Sequence, residues 1–441
     1  MSILMIATVT FVFAISMVYV FARWVEAGLA CMLAVQLCNV TFGLNATIVG
    51  GLHLNALDAV SACLLGASVI RFASSLRLLT APRLLAAAYA LLFAFSFIRG
   101  CDANGLPAAA NEARGFVGPL VALLYFADAP ADQRSVRRYA RWYLLLAACL
   151  CVVAALAVAG LPIGVAAGTH SQIDDQRVLP SSAAAIIAVA GLLAFAHATY
   201  GVRRLSAFLW PALFLFTAIY LRHRTVWIML LACVASFLFL DGKLFRWIAP
   251  MLLCCAAGIA LVAFAADQPG IATQSEFAQS LTSTGTWQWR VNSWQELLSD
   301  TEETPLSLLA GKPMGGGWWR IDPDSHLLQT APPHSEYVTE YLRVGVLGLV
   351  SILLFACRPL VVLLGVNTMR SSVRPCPAIW MAIALGALVY GAAYSIEPEL
   401  YALLGIANAI ASHAPVRGAL LADRESTPAF PNCIGSQRAY P

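Results

Sequence analysis

The chain has 441 residues, of which 60% are hydrophobic and 11% charged, and its mean hydropathy is +0.76. A soluble domain carries about 25% charged residues, so this composition excludes an ordinary soluble protein and leaves a polytopic membrane protein. The net charge of +4 is too small to argue for a nucleic-acid partner. The 12 cysteines lie mostly inside apolar runs, without any Cys-x-x-Cys pair, and read as small buried hydrophobes.

Spans of about 20 mostly apolar residues are expected at 3–22, 26–45, 55–73, 82–99, 114–127, 141–160, 181–200, 205–221, 225–240, 245–266, 335–356, 376–396 and 398–412. The fold expected is an all-α polytopic membrane protein with about 12–13 transmembrane helices. Met1 to Ala22 lacks a basic n-region and a small-residue cleavage site and reads as a retained first span.

Basic clusters fall on every second connection. They are Arg71/Arg77/Arg83, Arg134/Arg137/Arg138/Arg141, Arg203/Arg204, Lys243/Arg246 and Arg358/Arg370/Arg374, with Arg417 and Arg424 in the tail. The connections between them, at 46–54, 100–113, 161–180, 222–224 and 267–333, are polar or acidic. Lys and Arg favour the cytoplasmic side. That puts the N-terminus and the large loop outside, and the C-terminus inside. Four regions are expected: a helix bundle over 1–266, a large outer loop with short helices over 267–333, C-terminal spans over 334–412, and a disordered cytoplasmic tail over 413–441.

Three stretches carry residues suited to chemistry. Arg222-His223-Arg224 interrupts two apolar runs on the side that should be poor in Arg. A guanidinium donates paired, charge-assisted hydrogen bonds to phosphate, and the alternative is an interfacial turn whose arginines snorkel to head groups. Arg290 lies in a segment where Trp287, Val291, Trp294 and Leu298 repeat on one helical face. Helix 287–298 is expected to bury that Trp side. The loop around it holds eight acidic residues against three basic ones, Arg290, Lys312 and Arg320, so Arg290 could equally be a surface ion pair.

His334 follows Pro332-Pro333, a stiff lead into an apolar helix. It is expected in the first helical turn, where the dipole favours neutral imidazole and a nearby anion. Tyr337 and Tyr341 should share its face, and Gly345 and Gly348 should allow close helix packing. Further candidates are Asp58, Arg114 at the start of the fifth span as its partner, and His170, Asp174, Asp175 and Arg177. Asp322-Pro323-Asp324 is the best carboxylate pair for a metal, though no metal or other cofactor is expected.

The order of these elements resembles the O-antigen ligase and Wzy-type polymerase superfamily. Its members carry many spans and one large periplasmic loop. The resemblance rests on His334-Ser335-Glu336-Tyr337-Val338 running into Gly345-Val346-Leu347-Gly348, and on Arg224 before a mid-chain span, with His223 and Thr225 where the family has Ser and Gly. It rests also on Arg290 with Trp294, and on Pro305-Leu306 followed by Gly311 to Gly317. It covers mainly 205–356, and Arg224 aligns better than Arg222.

The resemblance implies a GT-C-like glycosyltransferase of the bacterial inner membrane, with its site facing the periplasm. The donor would be a glycan on undecaprenyl pyrophosphate. The acceptor would be another glycan, lipid A-core or a protein. Arg224 and Arg290 would hold the diphosphate, and His334 would serve the acceptor hydroxyl. Arg222, Arg114, Tyr337 and Tyr341 would bind substrate, with Glu336 or Glu340 as possible contributors. Membrane lipids are the remaining partners expected. A transporter or flippase of a lipid-linked saccharide is the competing reading. Against it stand the large outer loop, the absence of a visible repeat and a sparse set of ionisable groups at membrane depth.

Overall fold

A computed structural model describes residues 3–43, 47–49, 52–74, 80–164, 178–200, 208–240, 285–299, 304–321, 328–330, 332–368 and 375–422. The helices are α1 (Ile3–Arg23), α2 (Val25–Phe42), α3 (Ala56–Ser74), α4 (Ala81–Asn104), α5 (Leu106–Phe126), α6 (Gln133–Val158), α7 (Ser181–Tyr200), α8 (Leu209–Tyr220), α9 (Arg224–Leu240), α10 (Gly285–Ser299), α11 (Pro305–Ala310), α12 (Glu336–Thr368), α13 (Pro375–Gly391) and α14 (Pro398–Ala422). Two small antiparallel hairpins pair β1 (Thr47–Val49) with β2 (Leu52–Leu54), and β3 (Arg320–Ile321) with β4 (Leu328–Gln329).

Six described helices are long and apolar enough to cross a membrane. Large apolar side chains such as Phe11, Leu91, Phe216 and Val361 are exposed on the outside of the bundle, as a lipid-facing surface requires. The protein is an all-α polytopic membrane protein.

Two helices are buried almost all round. Residues 182–194 of α7 and 398–411 of α14 are nearly all inaccessible, and both are rich in Ala, Ile and Leu. A helix apolar on every face has no solvent side to present, so it takes a central place. α14 packs on α5 and α12, and α13 packs on α9 and α14.

The connection expected at 100–113 is helical. α4 runs to Asn104 and α5 starts at Leu106, with only Gly105 between them at φ +81°. Glycine takes that conformation without a Cβ penalty, so one residue breaks the helix where a loop of polar residues was expected. The basic loop at 134–141 is also helical. Asp132 caps α6, accepting from the backbone of Arg134 at 2.9 Å and Ser135 at 3.2 Å. The four arginines therefore extend the helix beyond its apolar run, and Arg138 pairs with Glu26 at 2.9 Å.

α14 continues to Ala422, into the stretch expected to be a disordered tail. The span at 245–266, the clusters at Arg203/Arg204 and Lys243/Arg246, His170 to Arg177, Asp322 to Asp324 and residues 423–441 lie outside the described residues.

Gly345 allows close packing, of α12 against the short helix α11. It interrupts α12 at φ +74°, and a Cβ there would strike the backbone of Leu309 and Ala310. The close approach is between a helix kink and the end of α11. Gly345→Ala combines a disfavoured backbone angle with a backbone clash. It is expected to cost more than the ~1–3 kcal/mol typical of strained backbone alone. Thermal unfolding in detergent should show a clearly lowered midpoint, and a wild-type midpoint would refute the backbone-docking account.

Candidate functional site

The segment from Pro305 to Trp319 enters the bundle instead of lying over it. Ala310, Met314 and Trp318 are buried, while Leu306, Leu308 and Leu309 remain exposed on the short helix before them. Irregular backbone at membrane depth must be satisfied by protein, and here it is. The Lys312 N–H donates to Leu342 O at 2.7 Å, Arg99 donates to Gly311 O at 3.0 Å, and Asn104 donates to Met314 O at 2.8 Å. Ser96 donates to the Arg343 carbonyl. Glycine makes these approaches possible. A Cβ at Gly100 would meet Met314, at Gly311 the backbone of Arg343, and at Gly315 the backbone of Ala108 and Ala109.

A buried ion pair fixes this segment. Arg343 of α12 pairs with Glu112 of α5 and also donates to Gly317 O. The second carboxylate oxygen of Glu112 accepts from the N–H of Gly315 at 2.7 Å and of Gly317 at 3.3 Å. The guanidinium lies 4.1 Å from the centre of the Trp318 ring. The pair thus joins α5, α12 and the glycine turn through one set of charge-assisted bonds.

Two further carboxylates on α12 lie buried beside it. Glu336 accepts from Tyr401 Oη at 2.6 Å and from the Ile396 N–H at 2.8 Å. Glu340 accepts from Tyr89 Oη at 2.6 Å and lies beside Glu336. Glu399 is buried, with Gln36 beside it. In the turn between α13 and α14, burial raises the Glu397 carboxyl above its ordinary pKa.

Above this layer lies a rim. α12 begins at Glu336, with Ser335 capping it by accepting from the Val338 N–H at 3.5 Å. His334 therefore stands just outside the helix and not in its first turn, because the serine after it takes the cap. Its side chain is exposed, with its ring 6.2 Å from that of Trp289. Arg290 donates to Ala393 O at 2.8 Å and lies 4.8 Å from the Tyr394 ring centre. Arg320, buried, lies 5.5 Å from the Trp289 ring centre.

α10 is helical as expected, but its buried face differs from the expected one. Ser293 and Leu297 are buried, whereas Trp287 is 54% exposed and meets Trp294 edge-on at 5.5 Å. Arg290 occupies the face that docks on the 392–397 turn, which leaves Trp287 to the outside.

The Arg222 turn reaches the same end of the bundle through a chain of contacts. His223 bonds Leu179 O at 2.9 Å, just before α7. Ser181 at the start of α7 bonds Tyr390 Oη at 3.0 Å, and Tyr390 stacks on Tyr394 at 5.3 Å. Tyr394 carries Arg290, and its carbonyl accepts from the Glu336 N–H at 3.2 Å. The N-terminal ends of α7, α9, α12 and α14 therefore gather around residues 390–397. Each presents partial positive charge. Arg224 is the first residue of α9, and Arg222 takes a left-handed φ of 59°, the one positive φ outside glycine among the described residues.

The remaining expected residues are placed less suggestively. The Tyr337 hydroxyl is engaged by the Leu388 carbonyl, and Tyr341 packs partly buried against the core. Arg114 is half-buried within α5, well past its start, because that helix begins at Leu106. Asp58 lies in the first turn of α3 and accepts from the Asn55 N–H at 2.7 Å, so it caps a helix end. Glu112, Arg343, Arg320 and Tyr89 were not anticipated. The signal for Arg343 was a charge inside an apolar run, whereas Glu112 lies in the stretch expected to be a connection.

No protein-family model matches the chain, and no curated protein is significantly similar to it in sequence.

The buried pair generates a test. Removing one partner of a buried ion pair costs about 3–5 kcal/mol, because the other charge is left uncompensated. Arg343→Met and Glu112→Gln should each lower stability strongly, and the double variant should lose less than their sum. Unfolding in detergent measures the coupling. Additive losses would show that the two side chains do not act together.

Proposed function

We propose that the protein is a glycosyltransferase of the bacterial inner membrane, of GT-C-like architecture with about 12–13 spans. Its site lies at the periplasmic face, and it transfers or polymerises a glycan carried on undecaprenyl pyrophosphate. The observation that supports this most is the gathering of four helix N-termini around residues 390–397, where Arg290 docks, with Arg224 the first residue of one of those helices and the exposed imidazole of His334 beside Trp289. Such an arrangement suits a diphosphate anion beside an accessible proton acceptor.

On this reading the acceptor hydroxyl attacks the anomeric carbon, and the bond from that carbon to the diphosphate oxygen breaks with inversion. The leaving diphosphate carries the electron pair away, and Arg224 and Arg290 offset its charge. His334 takes the hydroxyl proton. Arg222 extends the clamp. The buried layer of Glu112, Arg343, Glu336 and Glu340 fixes α12 and the glycine turn beneath.

One observation favours the transporter reading. Glu336, Glu340, Glu399 and Arg343 are all buried, so ionisable groups inside the bundle are more numerous than the sequence suggested. Buried carboxylates are what a proton-coupled carrier would use. Reconstitution with a lipid-linked glycan separates the two. A new glycosidic linkage is expected, whereas intact donor appearing in the opposite leaflet without product would favour transport.

Arg224→Lys should be nearly as damaging as Arg224→Ala, because lysine keeps the charge and loses the planar fork. His334→Ala should slow transfer by about 10²–10⁴-fold, the usual range for general acid–base groups, while donor capture persists. The readouts are transfer in membranes, donor crosslinking and protein level. Full activity in Arg224→Lys, or loss of donor capture in His334→Ala, would sink the assignment.

A further inference from the structure

The short helix α11 turns its leucines away from the protein. Leu306, Leu308 and Leu309 are 50%, 42% and 47% exposed, whereas Ala310 is buried. At 3.6 residues per turn the three leucines spread over roughly 160° of the helix circumference. Ala310 falls outside that arc, on the side that meets the bundle. A loop standing in water would turn its leucines inward. An apolar face kept outward marks contact with a second apolar body.

The position of α11 says which body that is. Arg99 donates to Gly311 O at the C-terminal end of α11, and Arg99 lies five residues before the end of α4. At 1.5 Å per residue α11 therefore ends roughly 8 Å inside the end of α4. It packs on α12 and on α4. The exposed side chains close to these contacts are apolar as well: Phe95 and Ile98 of α4, and Leu347 of α12, two residues past the kink at Gly345. The leucine face thus continues the lipid-facing surface of the bundle. The chain also marks both ends of the dip. Asp300, Glu302 and Glu303 precede α11, and this polar run stops at Thr304, whose hydroxyl caps the helix by accepting from the Ser307 N–H at 3.1 Å. Beyond the glycine turn Trp319 is 55% exposed, as tryptophan is at a membrane–water boundary.

We propose that residues 305–319 form a re-entrant dip into one leaflet of the bilayer, with Leu306, Leu308 and Leu309 against its acyl chains. The backbone of the glycine turn finds its partners in the bundle, and the leucine side chains find theirs in lipid. A depth of roughly 8 Å is that of helices lying at the boundary between head groups and acyl chains, about 5–10 Å down. The polar stretch before Thr304 stays in water, and the leucines after it leave water. The inference is independent of the glycosyltransferase reading, because it uses none of the residues assigned to donor or acceptor.

The test places an aliphatic diazirine side chain at Leu308 of the full chain, in vesicles of phosphatidylcholine and phosphatidylglycerol. Irradiation and mass spectrometry then identify what the probe has bonded to. The same probe at Leu91, on the lipid-facing side of α4, and at the exposed Gln288 of α10 gives the two references. Adducts on acyl chains are expected at Leu308 at a level near that of Leu91 and at least tenfold above that of Gln288. Should the chain labelled at Leu308 fail to fold, Leu306 at the other edge of the face decides. Adducts with water or head groups alone, or no more acyl adducts than at Gln288, would place α11 in water and overturn the proposal. A cross-link to a second copy of the chain would assign the face to a dimer and also overturn it.

Discussion

The bond between Glu112 and Arg343 is the constraint on which the rest of the candidate site depends. Two charges buried together gain little net stability, because desolvation offsets their attraction. They are strict about geometry instead. Glu112 is satisfied only when Gly315 and Gly317 present their N–H groups, and Arg343 only when Gly317 O and Glu112 are both in reach. That fixes the glycine turn between α4, α5 and α12. The turn in turn holds α11 against the kink at Gly345. An apolar set of contacts could fill the same space but would tolerate sliding. Charge-assisted bonds to backbone groups do not.

The layer above inherits this rigidity. Ile321 donates to Glu296 at 2.9 Å, tying the first strand after the glycine turn to α10. α10 in turn places Arg290 on the 392–397 turn and Trp289 beside His334 and Arg320. A loop over a membrane face would otherwise leave these side chains to move freely. Anchoring its middle inside the bundle converts it into a fixed wall. Groups meant to act on a charge that develops in a reaction work best when already held in position.

Much of the fold was legible because apolar runs of spanning length are strong signals, and α1, α7, α9 and α13 lie close to where the runs predict. The errors have specific causes. Hydropathy marks the apolar part of a helix and misses its polar ends, so α6 starts eight residues earlier than the apolar run, at an Asp132 cap. Gly105 alone does the work of a loop, which no window average can show. At the site, Arg224, Arg290 and His334 stood out because each interrupts a local pattern. The pairing of Glu112 with Arg343 joins residues 231 apart, and spacing carries no information at that range. The helical repeat of the tryptophans marks a face of α10 but not which face docks: Arg290, Ser293 and Leu297 turn inward, which leaves Trp287 exposed.

The division of labour between the two layers explains why His334 sits outside its helix. Were it in the first turn, its ring would be directed by the helix and packed with Tyr337, whose hydroxyl is bound to Leu388 O. Ser335 takes the cap instead and is itself buried, so the helix start is fixed one residue further on. Pro332 and Pro333 restrict the chain before it. The imidazole is thus held by its backbone on both sides and remains exposed. The buried glutamates one turn below contribute position, through Tyr401, Ile396 and Tyr89, without reaching the surface. On the glycosyltransferase proposal, a site that both grips an anion and admits a second substrate needs this separation of fixed support from open edge.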